Sequence, residues 1–451
     1  MTDQTLWFDQ ALLPSGWADR VRVTMAAGLV ASVEAGVERA PGEDGGGIAL
    51  PGAPNLHSHA FQRGMAGLTE GRGPSDDDFW TWRELMYRFL DRGGPDEIEA
   101  ITAYAFMEML EGGFTRVAEF HYLHNDVDGR PYADHAEIAR RVAAAAAETG
   151  IGLTLLPVFY AHSTFGGAAP NPGQRRFIND LDGFADLMAL SADAVGGLPD
   201  AVVGAAPHSL RAVTPDELTA VIAMTEGPVH IHVAEQVKEV DDCLAWSGAR
   251  PVEWLMANAA VDGRWCLIHS THVTEAEMTA VAKCGAVVGL CPVTEANLGD
   301  GIFPAVGYRN AGGRFGVGTD SNVMIGVAEE LRTLEYSQRL SLKGRGLMAG
   351  QTGSTGRGLY EAALDGGSRA TGAAAGIAPG MSADLVMLDA DHVAFHGRRG
   401  DAVLDSWIMA ARGPAIAGVW RRGERVVTDG VHHGREAIEA RFRRALKAIT
   451  G

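Results

Sequence analysis

The chain has 451 residues, of which 46% are hydrophobic and 21% charged, a composition typical of a globular protein with room for a large core or two domains. Its 57 acidic residues outnumber its 38 lysines and arginines, and the resulting net charge of −19 disfavours nucleic acid and anionic lipid as partners. The four cysteines form no CxxC pair, which argues against a disulfide framework and against a thiolate zinc site.

The start of the chain carries no basic segment followed by an apolar stretch, so we expect no secretory signal. No uninterrupted apolar run reaches the roughly 18 residues that would suggest a membrane span. We therefore expect a cytoplasmic protein, and a homodimer is the default expectation for its assembly.

Short β patterns occur near both ends of the chain and are broken by glycine. Because two β segments that flank a central domain most simply pair with each other, we predict a small β-sandwich formed by residues 1–48 and 378–451, with a C-terminal helix. The β patterns lie at residues 20–23, 29–33, 384–388 and 419–427.

Between these ends, short apolar runs alternate with longer amphipathic stretches. Eight runs separated by helical patterns indicate a (β/α)8 barrel, which we place at residues 49–377. A doubly wound open sheet is the alternative, but no glycine-rich phosphate loop follows the first run. The runs lie at residues 48–50, 116–118, 153–156, 202–205, 229–232, 266–269, 286–290 and 315–318.

The clearest helical patterns span residues 97–110, 133–148 and 274–283, and Thr214 before a proline marks a further helix start. Residues 343–358 are rich in glycine, serine and threonine, and this composition predicts a loop or an irregular connection.

Two histidines, His57 and His59, follow the first apolar run. Residues i and i+2 of an extended segment point to the same side, so both imidazoles can reach one metal ion. Two histidines at this spacing also arise by chance, so the pair by itself leaves metal binding open.

A second source of imidazole lies at the end of the fifth run, where the active sites of barrels are built, and this is His232. His230 points to the same side one layer deeper, where a hydrogen-bonded core histidine is the better interpretation. Glu235 lies just beyond, within reach of a metal-bound water. A glutamate in the first turn of a helix also has a purely structural explanation in the helix dipole.

The sixth and eighth runs end in His269 and Asp320. His272 falls in the loop after the sixth run and is interpreted as a surface residue. An aspartate after a strand is often a helix N-cap, so Asp320 alone is ambiguous. The combination is more informative, because all these strand ends converge on one mouth of the predicted barrel.

This layout resembles the amidohydrolase superfamily, whose members combine an HxH pair, two further histidines and an aspartate after strand eight. It is similar to the single-metal members, because no bridging lysine stands at the end of strand four, where residues 205–208 read Ala-Ala-Pro-His. Glu235 stands in the His-x-x-Glu arrangement of the superfamily's deaminases. Residues 380–386 also look like the superfamily's return to its sandwich, so the resemblance covers nearly the whole chain.

Within the superfamily, the chain most resembles the formimidoylglutamate deiminases of histidine degradation. Several long stretches look characteristic of that family, and long stretches are far more specific than an HxH pair. They are residues 55–64, 118–124, 206–211, 232–236, 289–301 and 330–332.

The resemblance implies one divalent metal, with Zn²⁺ expected and Fe²⁺ or Mn²⁺ as alternatives. It also implies that Asp320 and His269 take the proton of the attacking water, and that Glu235 passes protons to departing ammonia. The implied metal ligands are His57, His59, His232 and Asp320.

The implied substrate is N-formimino-L-glutamate, a dicarboxylate that would be hydrolysed to N-formyl-L-glutamate and ammonia. Arginine suits such a substrate because its planar guanidinium can bind a carboxylate through two hydrogen bonds. For Arg83, a solvated arginine paired with a neighbouring acid is the alternative. By the resemblance, Gln62 and Arg83 hold one carboxylate, Tyr122 and Arg211 hold the other, and His208 lies near the formimino group.

Three alternatives remain open to test. The same barrel would act on a heterocycle such as guanine, cytosine or a triazine, although such flat, mostly neutral substrates favour stacking over two arginines. An arginase-like family forms formamide and glutamate instead, but the motifs here do not resemble it. A non-catalytic scaffold on a decayed barrel would have lost ligands, whereas every expected ligand is present.

Overall fold

We describe residues 4–71 and 79–451 of a computed structural model of the chain. The first three strands of the N-terminal segment are antiparallel and joined by tight turns, and its last two strands pair with the first in parallel. At the second turn, Ala27 and Gly28 have φ angles of 51° and 83°, as a two-residue hairpin turn requires. The strands of this segment are β1 (Gln4–Leu13), β2 (Gly16–Ala26), β3 (Leu29–Glu34), β4 (Asp44–Gly45) and β5 (Ile48–Pro51).

The next strands are parallel and mostly buried, and helices separate most of them, as predicted. Strand four of the barrel consists of two short pieces, β9 and β10. The strands are β6 (Ala53–Ser58), β7 (Phe114–His121), β8 (Gly152–Phe159), β9 (Val202–Val203), β10 (Ala206–Pro207), β11 (Val229–Val233), β12 (Trp265–His269), β13 (Val287–Leu290) and β14 (Arg314–Val317).

The prediction for the first barrel strand was wrong. Residues 48–50 belong to β5, which pairs with β1 rather than with the barrel. The first barrel strand is β6, so His57 lies within a strand instead of following one. Both segments are short and fully buried, and therefore local hydrophobicity does not distinguish them.

Hydrogen bonds at two junctions close the barrel. Strands β6–β10 and β11–β14 form two sheets. At one junction the Asp320 N–H donates to the His57 carbonyl (3.0 Å), and at the other the His232 N–H donates to the His208 carbonyl (3.0 Å). Both junctions lie beside predicted site residues, so closure of the barrel itself brings them together.

Two helices begin at the threonines that the sequence predicts, whereas the helix predicted from residue 133 begins at Glu137. Thr214 and Thr274 each accept a hydrogen bond from the N–H three residues later (3.3 Å), and a glutamate there bonds back to the cap residue. The helices are α1 (Phe79–Leu90), α2 (Pro95–Glu111), α3 (Glu137–Thr149), α4 (Leu181–Val195), α5 (Pro215–Ala223), α6 (Val237–Ser247), α7 (Pro251–Asn258), α8 (Glu275–Cys284), α9 (Pro292–Leu298), α10 (Ala305–Asn310), α11 (Val327–Leu342), α12 (Thr355–Thr371), α13 (Asp401–Met409) and α14 (Arg435–Thr450). Within residues 4–71 and 79–451, none of these helices is both long and apolar enough to cross a membrane.

The glycine-rich residues 343–358 are a connection only as far as Ser354, so the prediction of a loop over the whole segment was wrong. Ser354 Oγ caps α12 by accepting a hydrogen bond from the Arg357 N–H (3.0 Å). A Cβ atom at Gly358 would lie 2.3 Å from the backbone nitrogen of Gly350. Glycine therefore serves here for close packing of a helix against a turn, a role that composition does not distinguish from a loop.

The C-terminal segment returns to the N-terminal one, as predicted. Its strands are β15 (Leu385–Leu388), β16 (Ile416–Arg421), β17 (Glu424–Thr428) and β18 (Val431–His432). They join one sheet in the order β18-β17-β16-β15-β5-β1-β2-β3, with β4 beside β1. The Phe8 and Trp420 rings, three strands apart in this order, lie 6.4 Å apart. The Val30 N–H also donates to the Met381 carbonyl (2.8 Å), so the sheet folds back on itself around a small core.

Candidate metal centre and active site

Four predicted side chains meet at the C-terminal mouth of the barrel. His57 comes from β6, His59 directly follows it, His232 comes from β11 and Asp320 follows β14, and all four are buried. One ligand atom of each lies within 4.8 Å of the others. His57 Nε2 is 3.1 Å from His232 Nε2 and 3.5 Å from Asp320 Oδ1, and His59 Nε2 is 3.3 Å from the same oxygen.

Backbone carbonyl groups orient two of these imidazoles. His59 Nδ1 donates to the Phe120 carbonyl and His232 Nδ1 donates to the His208 carbonyl, each at 3.0 Å. Because a carbonyl only accepts, both Nδ1 atoms carry the proton and both Nε2 lone pairs face the cluster. Three imidazole nitrogens and one carboxylate oxygen in this arrangement fit a divalent metal such as zinc.

Burial also sets the charge of these groups. It lowers the pKa of His57 to about 3, against the opposing hydrogen bond with Asp320. Burial by itself raises the pKa of Asp320, but the hydrogen bond with His57 and the nearby His59 and His269 outweigh it and lower this pKa. At neutral pH the cluster therefore holds neutral imidazoles and an ionised carboxylate, the protonation states that metal binding requires.

His269, at the end of β12, stands between three carboxyl groups. Its Nε2 is 3.6 Å from Glu235 Oε1 and 3.7 Å from Asp320 Oδ2, and its Nδ1 is 3.2 Å from Glu295 Oε1. Burial lowers the pKa of His269, but Glu235 and the other carboxylates outweigh this and raise it. The ring therefore has one nitrogen anchored and the other facing both the metal cluster and Glu235.

A cavity opens above the cluster. Its polar lining includes all five side chains that the sequence assigns to substrate binding. Gln62 Nε2 donates to Tyr122 Oη (2.8 Å), while the buried Gln62 Oε1 has no hydrogen-bond partner within the described chain. The five side chains are Gln62, Arg83, Tyr122, His208 and Arg211, and the apolar wall is formed by Phe79, Trp82, Met86, Tyr87, Tyr160 and Phe177.

Two guanidinium groups enter this cavity with unused donors. The buried Nε atoms of Arg83 and Arg211 have no hydrogen-bond partner among the residues described. The Cζ atoms of Arg83 and Arg211 lie 4.6 and 5.8 Å from the ring centre of Trp80. Burying a hydrogen-bond donor without a partner costs free energy. Two buried cationic groups with unpaired donors therefore favour the binding of an anion, which would accept these hydrogen bonds.

A model of the amidohydrolase family matches residues 48–426 of the chain, and a model of the N-terminal domain of formimidoylglutamate deiminase HutF matches residues 5–47. The chain belongs to the amidohydrolase family. It is 49% identical to the formimidoylglutamate deiminase of Pseudomonas aeruginosa, over 98% of each chain. An 8-oxoguanine deaminase of the same organism is 27% identical over 89% of this chain and 87% of that one.

Solved structures show the same fold for this amidohydrolase. The crystal structure of an amidohydrolase from Brucella melitensis superimposes with a TM-score of 0.96 and 53% identity, over 99% of this chain and 100% of that one. An adenosine deaminase from Xanthomonas campestris with bound zinc superimposes with a TM-score of 0.82 and 23% identity, over 99% and 98% of the two chains. The second likeness shows only that the fold is shared.

Two carboxyl groups of this amidohydrolase, Glu295 and Asp300, were not predicted from the sequence as part of the site. Glu295 contacts His269, and Asp300 lies beside Glu235. Both follow β13, which is the seventh strand of the barrel. Their acidic side chains at that position are the one sequence signal that would have indicated them. Their role depends on contacts with loops after other strands, and local pattern does not reveal such contacts.

Two further histidines were considered in the sequence. His230 is a core residue, as predicted, and its Nε2 donates to the Ala370 carbonyl (2.8 Å). His272 is half-buried rather than on the surface, because its Nε2 donates to the Asp300 carbonyl (2.9 Å). No lysine is among the residues that line the cavity in the described chain.

Proposed function

We propose that this amidohydrolase is a formimidoylglutamate deiminase of histidine degradation. It would hydrolyse N-formimino-L-glutamate to N-formyl-L-glutamate and ammonia. The observation that carries the proposal is the pair Arg83 and Arg211, which present unused donors in a cavity directly above three histidines and an aspartate. The relative from Pseudomonas aeruginosa is named formimidoylglutamate deiminase, and the similarity of this chain to it supports the proposal.

We propose Zn²⁺ as the metal, held by His57, His59, His232 and Asp320, with Fe²⁺ or Mn²⁺ as alternatives. The set of three nitrogen donors and one oxygen donor supports this, as does the bound zinc of the adenosine deaminase neighbour. A divalent metal at such a site lowers the pKa of water, so that hydroxide is available near neutral pH.

His269, Asp320 and Glu235 would move the protons of the reaction. His269 Nε2 faces the carboxyl groups of both Asp320 and Glu235. A proton that Asp320 or His269 takes from the attacking water could therefore pass to Glu235 through His269. Burial raises the pKa of Glu235, which favours its protonated form as an acid. Attack forms the new C–O bond, and Glu235 would protonate the leaving nitrogen as the C–N bond breaks.

The two carboxylates of the substrate would bind to separate pairs of side chains. Arg83 with Gln62 would hold one, and Arg211 with Tyr122 would hold the other. The unused Nε atoms of Arg83 and Arg211 are donors that the free protein leaves unsatisfied. His208 lines the cavity beside His232 and would contact the formimino group.

Ammonia release tests this proposal directly. We expect the zinc-loaded protein to release ammonia from N-formimino-L-glutamate and not from guanine, 8-oxoguanine, cytosine or a triazine. NMR of the products should show N-formyl-L-glutamate. Turnover of a heterocycle alone would contradict the substrate, and formamide with glutamate would contradict the bond that is cleaved.

Metal analysis of the purified protein tests the cofactor separately. We expect one divalent metal per chain, with loss of activity on chelation and recovery with Zn²⁺. A protein that binds neither zinc, iron nor manganese would instead favour a non-catalytic scaffold.

We also propose that the catalytic domain spans residues 49–377 and that residues 1–48 and 378–451 form the second domain, although β5, which crosses the first boundary, pairs with the terminal sheet. A cytoplasmic homodimer is our proposal for its location and assembly. Light scattering of the purified protein and fractionation of cells measure these two properties.

A further inference from the structure

A chain of buried hydrogen bonds joins β6 to the loop that carries Asp320. It runs through the side chains of Asn55, Thr319 and Asn322. These three residues are at most 1% exposed. In the described chain, none of them is among the residues that line the cavity. The hydrogen bonds therefore lie behind the proposed metal ligands and away from a bound substrate.

Backbone groups fix the direction of the first amide in this chain. Asn55 faces the backbone N–H groups of His57 (3.3 Å) and Thr319 (3.1 Å). Because an N–H group only donates, the atom that faces them is Oδ1, and Nδ2 points the other way. Asn55 Nδ2 therefore donates to Thr319 Oγ1 (2.7 Å).

The threonine hydroxyl connects the first amide to a second one. Since Thr319 Oγ1 accepts from Asn55, its own hydrogen donates to Asn322 Oδ1 (2.5 Å). Asn322 Nδ2 then faces the carbonyl groups of His59 (3.1 Å) and Asp320 (2.9 Å), which only accept. Backbone groups thus fix both ends of the chain independently. Only a hydroxyl, which both accepts and donates, satisfies the position between them.

Asp320 and Asn322 have the backbone conformations that need such support. Their φ angles are 44° and 56°, in the left-handed region that residues other than glycine rarely adopt. The Asp320 carbonyl accepts from the His59 N–H (2.9 Å) as well as from Asn322 Nδ2. The peptide that follows Asp320 is therefore held from two sides. In this conformation Asp320 Oδ1 lies 3.5 and 3.3 Å from Nε2 of His57 and His59.

We propose that Asn55, Thr319 and Asn322 are positioning residues, which hold Asp320 in the conformation that binds the metal together with the histidine pair. This inference rests on the proposed metal centre and is independent of the identity of the substrate. The hydroxyl of Thr319 is its central element. Without it, a donor of Asn55 and an acceptor of Asn322 are buried with one partner fewer, and the support of Asp320 is interrupted.

Competition with a chelator measures zinc affinity and tests the proposal without any turnover. Thr319→Val keeps the branched shape of the side chain and removes its hydroxyl. We expect it to raise the zinc dissociation constant by about 10- to 100-fold, the usual effect of losing a partner behind a metal ligand. Thr319→Ser keeps the hydroxyl and should bind zinc nearly as tightly as the wild type.

The matched control is Thr154→Val, which makes the same substitution at another buried threonine of the barrel. Thr154 lies near the start of β8, and its hydroxyl donates to the Thr371 carbonyl (2.7 Å). We expect zinc affinity to be unchanged in this variant, because its hydroxyl has no part in the hydrogen bonds that reach Asp320.

A variant of Asn322 separates the loss of the amide from backbone strain. Glycine readily adopts a positive φ, so Asn322→Gly removes the hydrogen bonds of the side chain and adds no strain there. We expect its zinc affinity to fall as in Thr319→Val, and to fall little further when the two changes are combined, because both interrupt one chain. If Thr319→Val does not fold, Asn322→Gly answers the same question.

The visible absorption spectrum of the cobalt-substituted protein reports the geometry of the metal ligands. We expect Thr319→Val and Asn322→Gly to change the position or the intensity of the cobalt bands. Thr319→Ser and Thr154→Val should keep the wild-type spectrum. A role in general stability alone would lower the unfolding temperature and leave this spectrum as it is.

Wild-type zinc affinity and a wild-type cobalt spectrum in Thr319→Val and Asn322→Gly would overturn the proposal. Equal losses in Thr319→Val and Thr319→Ser would also overturn it, because packing would then matter instead of the hydroxyl. Weakened zinc binding by Thr319→Val in a protein that does not hydrolyse N-formimino-L-glutamate would support the positioning role and refute the proposed substrate. A wild-type protein that binds no divalent metal would refute the proposed metal centre, and this inference with it.

Discussion

At the scale of single residues, the side chains that face the cavity are held by groups behind them. Carbonyl groups of Phe120 and His208 fix two metal-facing imidazoles. Glu295 Oε1 accepts from the Cys291 N–H (2.8 Å) and contacts His269 Nδ1 (3.2 Å), which anchors that ring to the start of α9. Substitutions of the facing groups and of the groups behind them should therefore give different kinetic signatures.

Replacing Arg211 with methionine removes a proposed carboxylate-binding group and leaves the four proposed metal ligands in place. We expect Arg211→Met to raise KM by about 10- to 100-fold, since a hydrogen bond to a charged group contributes about 1.5–3 kcal/mol. The metal content should stay at that of the wild type. The exposed Arg130 provides the control, and Arg130→Met should change neither value. Loss of metal from Arg211→Met would show that Arg211 stabilises the metal centre instead.

Glu295 should affect the rate more than binding, because it touches His269 and does not line the cavity. We expect Glu295→Leu to lower kcat by about 10- to 100-fold with little change in KM, the usual cost of losing a partner behind an active-site histidine. Glu295→Gln keeps an acceptor for the ring and should recover part of the rate. A change in KM alone, or equal loss in both variants, would contradict this role.

At the scale of elements, His230 joins β11 to the end of α12, since its ring donates to the Ala370 carbonyl. Burial lowers its pKa from 6.5 to about 4. The unfolded chain therefore binds a proton in this range that the folded chain does not. The stability that neutral His230 contributes is complete above pH 6.5 and declines as the pH falls towards 4.

Substituting His230 should consequently flatten the pH dependence of stability. We expect His230→Gln to reduce the slope of the unfolding free energy against pH by up to about 1.4 kcal/mol per pH unit over this range. Urea unfolding at several pH values measures the slope. The exposed His396 is the control, and His396→Gln should keep the wild-type slope. An unchanged slope in His230→Gln would show that His230 does not titrate in this way.

At the scale of the whole molecule, a buried charge cluster joins the terminal sheet to the barrel. Arg421 of β16 and Arg116 of β7 both bind Asp200, at 2.8 and 2.7 Å, and Arg421 also pairs with Asp384. Arg116 lies near the start of its strand, at the opposite end of the barrel from the cavity. The cluster therefore supports the packing of two layers and does not contact the active site.

Removing the shared carboxylate should weaken the whole molecule without changing its chemistry. We expect Asp200→Ala to lower the unfolding free energy by about 3 kcal/mol or more, because two buried guanidinium groups lose a partner. The kcat of the folded enzyme should stay within about twofold of wild type. Asp391→Ala, at an exposed site, is the control for stability. A large loss of kcat in Asp200→Ala with intact stability would show coupling between this cluster and the active site.

The sequence by itself determined the barrel, apart from the position of its first strand, and the side chains at its strand ends. Side chains two residues apart in an extended segment point to the same side, which places His57 and His59 together. His232 and Asp320 are indicated by their positions at the ends of apolar runs. The resemblance to a family then assigned roles to the arginines. Local pattern was sufficient for these features because each depends on only a few neighbouring residues.

Only the tertiary structure decided which neighbours surround those side chains. Residues 48–50 belong to the terminal sheet because they pair with β15, more than 300 residues later. Glu295 and Asp300 reach His269 and Glu235 from α9 and from the loop after it. Burial then changes the charges of the groups brought together. Such long-range contacts leave no trace in local hydrophobicity, because the chain pattern is the same whether or not the contact forms.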